Sequence, residues 1–285
     1  MTTLPMKKLK KLVLTGAAGR LGTVLRAPLA KMAEALVSTD LAEGLGKLYP
    51  GESYVQADLS DLDAMMALCD GADMVVHFGA IGTEAPFDDI LKSNIVGVYN
   101  IWEAAHRQGV RRIVYASSVH VVGMYPKQDF IGLEVPHRPD TFYGLAKCFA
   151  EDLGRLYWDK RGLESLHLRL LSCSGEVTNA RALGSWLSDG DLVHLVTRAI
   201  DTPTVGFSLV YGVSDNDRVP VDNAAASFLG YRPKDNAEQF ADKILAQEPK
   251  HDPQDPGLTC HGGPFASAEL GSKGIVTINR DEPTP

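Results

Sequence analysis

Leu12-Val-Leu-Thr-Gly16-Ala-Ala-Gly19-Arg-Leu-Gly22 decides the fold. Its three apolar residues read as a short buried strand, and the glycines that follow are spaced GxxGxxG where a helix would open. Missing side chains let backbone approach a pyrophosphate and let helix pack close on strand, while the helix N-terminus faces the negative charge. A tight turn with no ligand uses the same residues, so the surrounding pattern carries the weight.

Outward from this stretch the chain keeps one rhythm. Ala35-Leu36-Val37 runs to Asp40, and Met74-Val75-Val76 precedes His77-Phe78-Gly79. Ile113-Val114-Tyr115 precedes Ala116-Ser117-Ser118, and Leu166-His167-Leu168 precedes Arg169. Each run is short and rich in Val, Ile or Leu, as buried parallel strands are. Amphipathic stretches lie between them, including Phe87 to Gln108 and Thr141 to Arg161. The alternation predicts an α/β fold, a Rossmann-type doubly wound parallel sheet with helices on both faces and right-handed crossovers. Past residue 170 the rhythm changes: helical pieces at Asp191 to Ile200 and Asn236 to Leu245 mingle with a strand at Val205 to Tyr211. The expected division is a dinucleotide-binding domain over 1–170, a small substrate lobe over 171–268 interleaved with it, and a tail over 269–285. Pro249 to Pro256 reads as irregular, and the tail as a free end or an arm onto a neighbour.

Composition narrows the function classes. Hydrophobic residues make up 45% and charged residues 22% of the 285, an ordinary globular balance that argues against general disorder. A formal net charge of -8 opposes binding to nucleic acid or an acidic membrane surface. The basic run Lys7, Lys8, Lys10, Lys11 precedes an apolar strand and reads as its solvated lead-in. Cys69, Cys148, Cys173 and Cys260 are scattered, with neither metal-ligand spacing nor a disulfide framework, which points to free thiols in the cytoplasm and to no metal. No signal-peptide pattern and no apolar segment of roughly 18 residues is visible.

Three groups of residues carry the chemistry. In the loop, Gly16, Ala18, Gly19, Arg20, Leu21 and Gly22 are the expected diphosphate contacts. Asp40 closes the second apolar run near the roughly 20-residue spacing expected of the acid that binds adenosine ribose. A carboxylate there accepts from both ribose hydroxyls and repels a 2′-phosphate, which favours NAD over NADP; a plain helix or turn cap is the alternative. Asp58-Leu59 has the position to touch adenine, or forms a simple turn. In Tyr143-Gly-Leu-Ala-Lys147, a phenol and an ammonium stand at i and i+4 on one helix face. A free phenol ionises near pH 10, and a nearby Lys cation with an oxidised nicotinamide favours phenolate. Ser118, at the end of the preceding strand, can hold the reacting oxygen.

GxxGxxG, Asp40, His77-Phe-Gly-Ala80, Asn94-Ile-Val-Gly97, Ser117-Ser118 and YxxxK together resemble the extended short-chain dehydrogenases, over residues 9 to about 245. The resemblance implies Ser118 as substrate anchor, Tyr143 as base, and Lys147 on the nicotinamide ribose. It also implies Gly79 and Ala80 against the cofactor, and Asn94 in a proton relay, or else as a buried helix-stabilising residue. Glu84-Ala-Pro-Phe87, Gly123-Met-Tyr-Pro126, Ser172-Cys173, Ser185-Trp186-Leu187-Ser188 and Gly230-Tyr-Arg-Pro-Lys-Asp-Asn-Ala237 are similar to bacterial uronate dehydrogenases. That family oxidises C1 of a hexuronic acid to an aldonolactone with NAD.

The likeness implies Ser172 and Arg181 at the C6 acid, with a loop charge as the alternative for Arg181, and His120 at a sugar hydroxyl or in a structural role. Gly82 and Val119 depart from the family, which has polar residues there, and this leaves a C6-sulfonate sugar such as sulfoquinovose open. A sugar-nucleotide epimerase or dehydratase shares the machinery, but only residues 171–285 remain for the larger lobe it needs. The same likeness implies pairing through the segments from Phe87 and Thr141, hence a homo-oligomer.

Overall fold

A computed structural model describes residues 8–247 and 254–275. Its chain order opens with β1 (Leu9–Thr15), α1 (Arg20–Met32), β2 (Ala33–Asp40), β3 (Glu52–Gln56), α2 (Leu62–Cys69) and β4 (Met74–His77). Then α3 (Phe87–Ile90), a π-helical turn (Leu91–Val96) and α4 (Gly97–Arg107) run end to end into β5 (Arg112–Ser118). The long α5 (Phe142–Arg161) leads to β6 (Glu164–Leu170), α6 (Ala182–Ser185), α7 (Asp189–Asp201) and β7 (Phe207–Gly212). Two short helices, α8 (Ala241–Ala246) and α9 (Pro256–Thr259), are the last α-helices of the described chain.

The seven strands form one sheet in the order β3-β2-β1-β4-β5-β6-β7, and every neighbouring pair is parallel. Chain order reverses between β1 and β4, which opens a crevice at their carboxyl ends, where ligands bind in such sheets. Side chains alternate across the pleat, so Leu12 and Leu14 enter the core beneath α1 and α7 while Val13 enters the one beneath α2, α4 and α5. Each fully buried residue of this kind contributes about 1.5–3 kcal/mol.

Two features lie beyond the apolar runs. β3 has the sequence Glu-Ser-Tyr-Val-Gln, largely solvent-facing, because an edge strand is covered on fewer sides than the central ones. β7 lies in the stretch expected of the substrate lobe, yet pairs with β6 as the opposite edge of the main sheet. Most of the stretch from Pro249 falls outside the described residues, as do Lys7 and the tail beyond residue 275. The described part of the tail turns back onto its own chain: the Gly271 and Gly274 amides donate to the carboxylate and the carbonyl of buried Glu84.

Candidate active site

At the end of β1, the Thr15 hydroxyl accepts from the Gly79 amide at 3.0 Å and bonds His77 Nδ1 at 2.6 Å, which ties β1 to β4. The glycine loop is consequently packed to contact. Gly16 sits at φ +72°, where an added Cβ would lie 2.6 Å from the Phe78–Gly79 backbone, and one at Gly22 would lie 2.0 Å from the Gly16 carbonyl. Gly19 caps α1 with no side-chain hydrogen bond, and no acid occupies the first turn. The opening amides of a thirteen-residue helix therefore keep their donors and partial positive charge for an anion, which fits a dinucleotide diphosphate. Asp40 accepts from the Ala18 amide at 2.9 Å and the Ala42 amide at 3.2 Å, holding its carboxylate on the groove wall. Asp58 is gripped by Lys92 at 2.9 Å, and that cation with the Ser60 bonds holds its carboxyl below the usual range.

The groove has two compartments that share Gly16, Gly19, Phe78 and Ala80. One, about 540 Å³, takes in Asp40, Asp58, Leu59 and Gly79. The other, about 510 Å³, takes in Ser118, Tyr143, Lys147, Ser172 and Arg181. Every residue singled out from the sequence lines one of them except Asn94. Buried in the π-helical turn, Asn94 uses both ends of its amide on the Ile81 backbone, each at 2.9 Å. It fixes the loop after β4 and is absent from the residues lining either compartment. The insertion of a π turn is what turns Asn94 toward that loop.

The reacting end is built from β5 and α5. Thr141 caps α5 by accepting the Gly144 amide at 3.0 Å, which sets Tyr143 in the first turn and Lys147 one turn later. Ser118, at the end of β5, lines the same compartment as Tyr143 and accepts the His120 amide at 3.3 Å. Lys147 donates to the Ala116 carbonyl at 2.6 Å and lies 4.6 Å from the Tyr115 ring centre. Burial dominates this pair: it pushes the Tyr143 phenol up to about 12, opposed by Ser118, and pulls the Lys147 ammonium down to about 7, opposed by the Glu151 carboxylate. Glu151 stands one further turn along, bonded to Ser117 at 2.6 Å, His137 at 2.9 Å and Arg169 at 2.8 Å. Despite burial, the bonds from His137 and Arg169 and the Arg169 charge hold its own carboxyl down at about 2.

Arg181 precedes α6, donating to the Ser172 hydroxyl at 2.7 Å and the His261 carbonyl at 2.7 Å. Among the described residues it has no carboxylate within ion-pair distance. Burial lowers the pKa of its guanidinium, opposed by the charge of Asp140. A guanidinium whose hydrogen-bond partners are all neutral can receive an anion at the pocket wall. Gly82 has open space beyond its Cα, and Val119 is buried in the apolar core, so neither supplies a polar contact.

The same pocket contains residues that no local motif announced. Phe265 stacks on His120 with ring centres 3.8 Å apart, and Gly262 and Pro264 complete that wall. They arrive because residues 259–262 pair with 123–127 through backbone bonds. Among the described residues no cluster of His, Cys, Asp or Glu could hold a metal ion.

The model of the NAD dependent epimerase/dehydratase family matches residues 12–189. This chain belongs to that family. It is 44% identical to a uronate dehydrogenase of Pseudomonas syringae pv. tomato over 264 residues, covering 92% of this chain and 96% of that protein. A crystal structure of the glucuronic acid dehydrogenase from Chromohalobacter salexigens superposes with a TM-score of 0.89 at 40% identity, covering 92% of this chain and 98% of that one. A tyrosine-to-alanine mutant of the Agrobacterium tumefaciens uronate dehydrogenase, complexed with NAD, superposes at 0.87 with 45% identity and coverage of 91% and 98%. The fold is the Rossmann type expected, and NAD is its cofactor.

Proposed function

We propose that this protein oxidises C1 of a hexuronate, such as glucuronate or galacturonate, to the aldonolactone with reduction of NAD. The observation that carries this reading is Arg181, an anion receptor with no acidic partner, in the same compartment as Ser118, Tyr143 and Lys147. The C6 carboxylate meets Arg181 and Ser172, which leaves C1 over Ser118 and Tyr143. Bound NAD supplies the hydride acceptor and the positive charge of the oxidised nicotinamide. The Ser118 hydroxyl and Tyr143 hold the C1 hydroxyl, and the Tyr143 phenolate takes its proton as C1 gives up hydride. Lys147 stabilises the phenolate and is placed to meet the nicotinamide ribose.

The test is NADH formation with glucuronate, galacturonate, sulfoquinovose and glucose as separate substrates. Turnover of the uronates well above glucose is expected. Preference for sulfoquinovose moves the substrate to a C6 sulfonate, and silence on all four removes the reading. Asp40→Ala is expected to cut the ratio of NAD to NADP efficiency by about tenfold or more, since it removes a like-charge clash worth over 1 kcal/mol. An unchanged ratio would show that Asp40 does not meet the adenosine ribose.

Phe87, Leu91, Tyr99, Leu145 and Leu156 are exposed along α3, the π-helical turn, α4 and α5. Large apolar side chains gathered on adjacent helices support pairing with a second copy of this chain. Among the described residues no helix is long and apolar enough to cross a membrane, and all four cysteines are free. The free thiols support a cytoplasmic setting.

A further inference from the structure

Lys147 is buried, and among the described residues no carboxylate lies within ion-pair distance of it. An ammonium in such a place sheds its proton unless its surroundings favour the charge. Glu151, one turn further along α5, favours it from a distance, but Ser117, His137 and Arg169 already occupy its oxygens. The Ala116 carbonyl takes one ammonium hydrogen at 2.6 Å. The other close partner is an aromatic ring: Nζ stands over Tyr115, 4.6 Å from its centre, against 5.4 Å for the ring of Tyr143.

Tyr115 lies on β5 in register with His77 of β4 and His167 of β6. The rings of His77, Trp102 and His167 surround it, with centres 5.4, 5.3 and 5.4 Å away, so packing fixes its plane. Its hydroxyl is buried with no hydrogen-bond partner among the described residues. An unpaired buried hydroxyl costs stability, so the oxygen is not what the residue contributes. What it contributes is the ring, whose negative face attracts a cation most strongly where water is excluded.

The other titratable groups facing Lys147 are His77 from β4, His167 from β6, and Tyr143 and Glu151 from α5 itself. Burial draws His77 down to about 3 and His167 down to about 4, so both are neutral at working pH and add no competing cation. Arg169 of β6 is paired with Glu151.

On the hexuronate reading above, Lys147 stabilises the Tyr143 phenolate. We propose that Tyr115 is a positioning residue whose ring face keeps Lys147 protonated, and so keeps beside Tyr143 the cation that its phenolate needs. The ring raises the pH at which Lys147 loses its proton. Weakening the ring face lowers that pH, and the fall of turnover on the alkaline side moves with it.

The test replaces Tyr115 by Phe and by mono-, di- and trifluorophenylalanine, which nearly conserve size and packing while fluorine withdraws charge from the ring face. Titration of ¹³Cε-lysine signals by NMR in the resting enzyme, assigned with Lys147→Met, reads the Lys147 pKa directly. Tyr115→Phe is expected to match the wild type, and the fluorinated rings to lower the pKa stepwise, by about one pH unit in all, a tenfold change in the protonation equilibrium. The alkaline limb of kcat with glucuronate is expected to shift by the same steps. A Lys147 pKa that is constant across the series overturns the proposal, as does a full shift already present in Tyr115→Phe. Rates that fall equally at every pH, with no movement of the limb, show a merely structural ring and overturn it too. If the wild type does not oxidise glucuronate, the hexuronate reading falls by itself, while the NMR titration still decides whether the ring holds the charge.

Discussion

Tyr143→Phe is expected to lower kcat by about 10²–10⁴-fold, the range that one positioned acid–base group supplies, while NAD still binds. The substitution removes one oxygen from a buried ring and leaves its packing against His120 and Phe265 in place. The loss should appear in kcat more than in KM, because the phenolate acts on the proton that moves in the transition state. Burial holds the Tyr143 phenol at about 12, above its ordinary value of 10, so in the protein alone the group is neutral at physiological pH. Positive charge beside the phenol lowers that value, and turnover should therefore rise with pH up to the phenol's value in the cofactor complex. Lys147 works against this from about neutral pH upward. Burial pulls it to about 7, and above its pKa it no longer offers a cation. Steady-state rates across pH and NAD titration of the variant check both parts. Unchanged turnover would remove Tyr143 as the base.

Arg181→Met should lower kcat/KM for uronates by about 10²–10³-fold, as loss of one partner of a desolvated charge pair costs about 2–5 kcal/mol. Methionine keeps much of the apolar stem and discards the charge, so neutral glucose should change far less and the gap between the two substrates should narrow. Arg181→Lys is expected to recover only part of the loss, since an ammonium lacks the planar fork that matches a carboxylate. Arg181 also ties Ser172 to the His261 carbonyl, so thermal unfolding of each variant separates lost anion binding from a loosened wall. Equal losses on glucose and glucuronate would place the anion elsewhere.

The substrate end rests on contacts between distant parts of the chain. Arg181 reaches His261, Glu84 joins the Tyr143 amide to Gly271, and Phe265 covers His120. Three of these partners, His261, Phe265 and Gly271, lie in the C-terminal segment. Its course is set by backbone pairing between residues 259–262 and 123–127, which leaves no side-chain pattern to read. Asp140 was equally silent: one carboxylate before a helix cap is ordinary, and only the tertiary structure brings it to His120 Nδ1 at 2.7 Å and closes Gly123 and Gly262 against it.

Asn94 shows the same limit from the other side. Its presence was legible, but a π turn decides which way its amide points, and that geometry leaves no compositional trace. Edge strand β3 escaped notice because partial solvent exposure removes the apolar run by which central strands are recognised.

By itself the sequence determined the β–α alternation, the glycine loop, Asp40, and the Ser118, Tyr143 and Lys147 set. Each depends on interactions within one strand–loop–helix unit, whose residue spacing is dictated by strand and helix periods. Tertiary structure alone decided which distant residues close the sugar pocket, how burial shifts Tyr143 and Lys147 in opposite directions, and which nitrogen of His120 pairs with Asp140. Those properties come from desolvation and from contacts between segments far apart in the chain, and neither is encoded in local spacing.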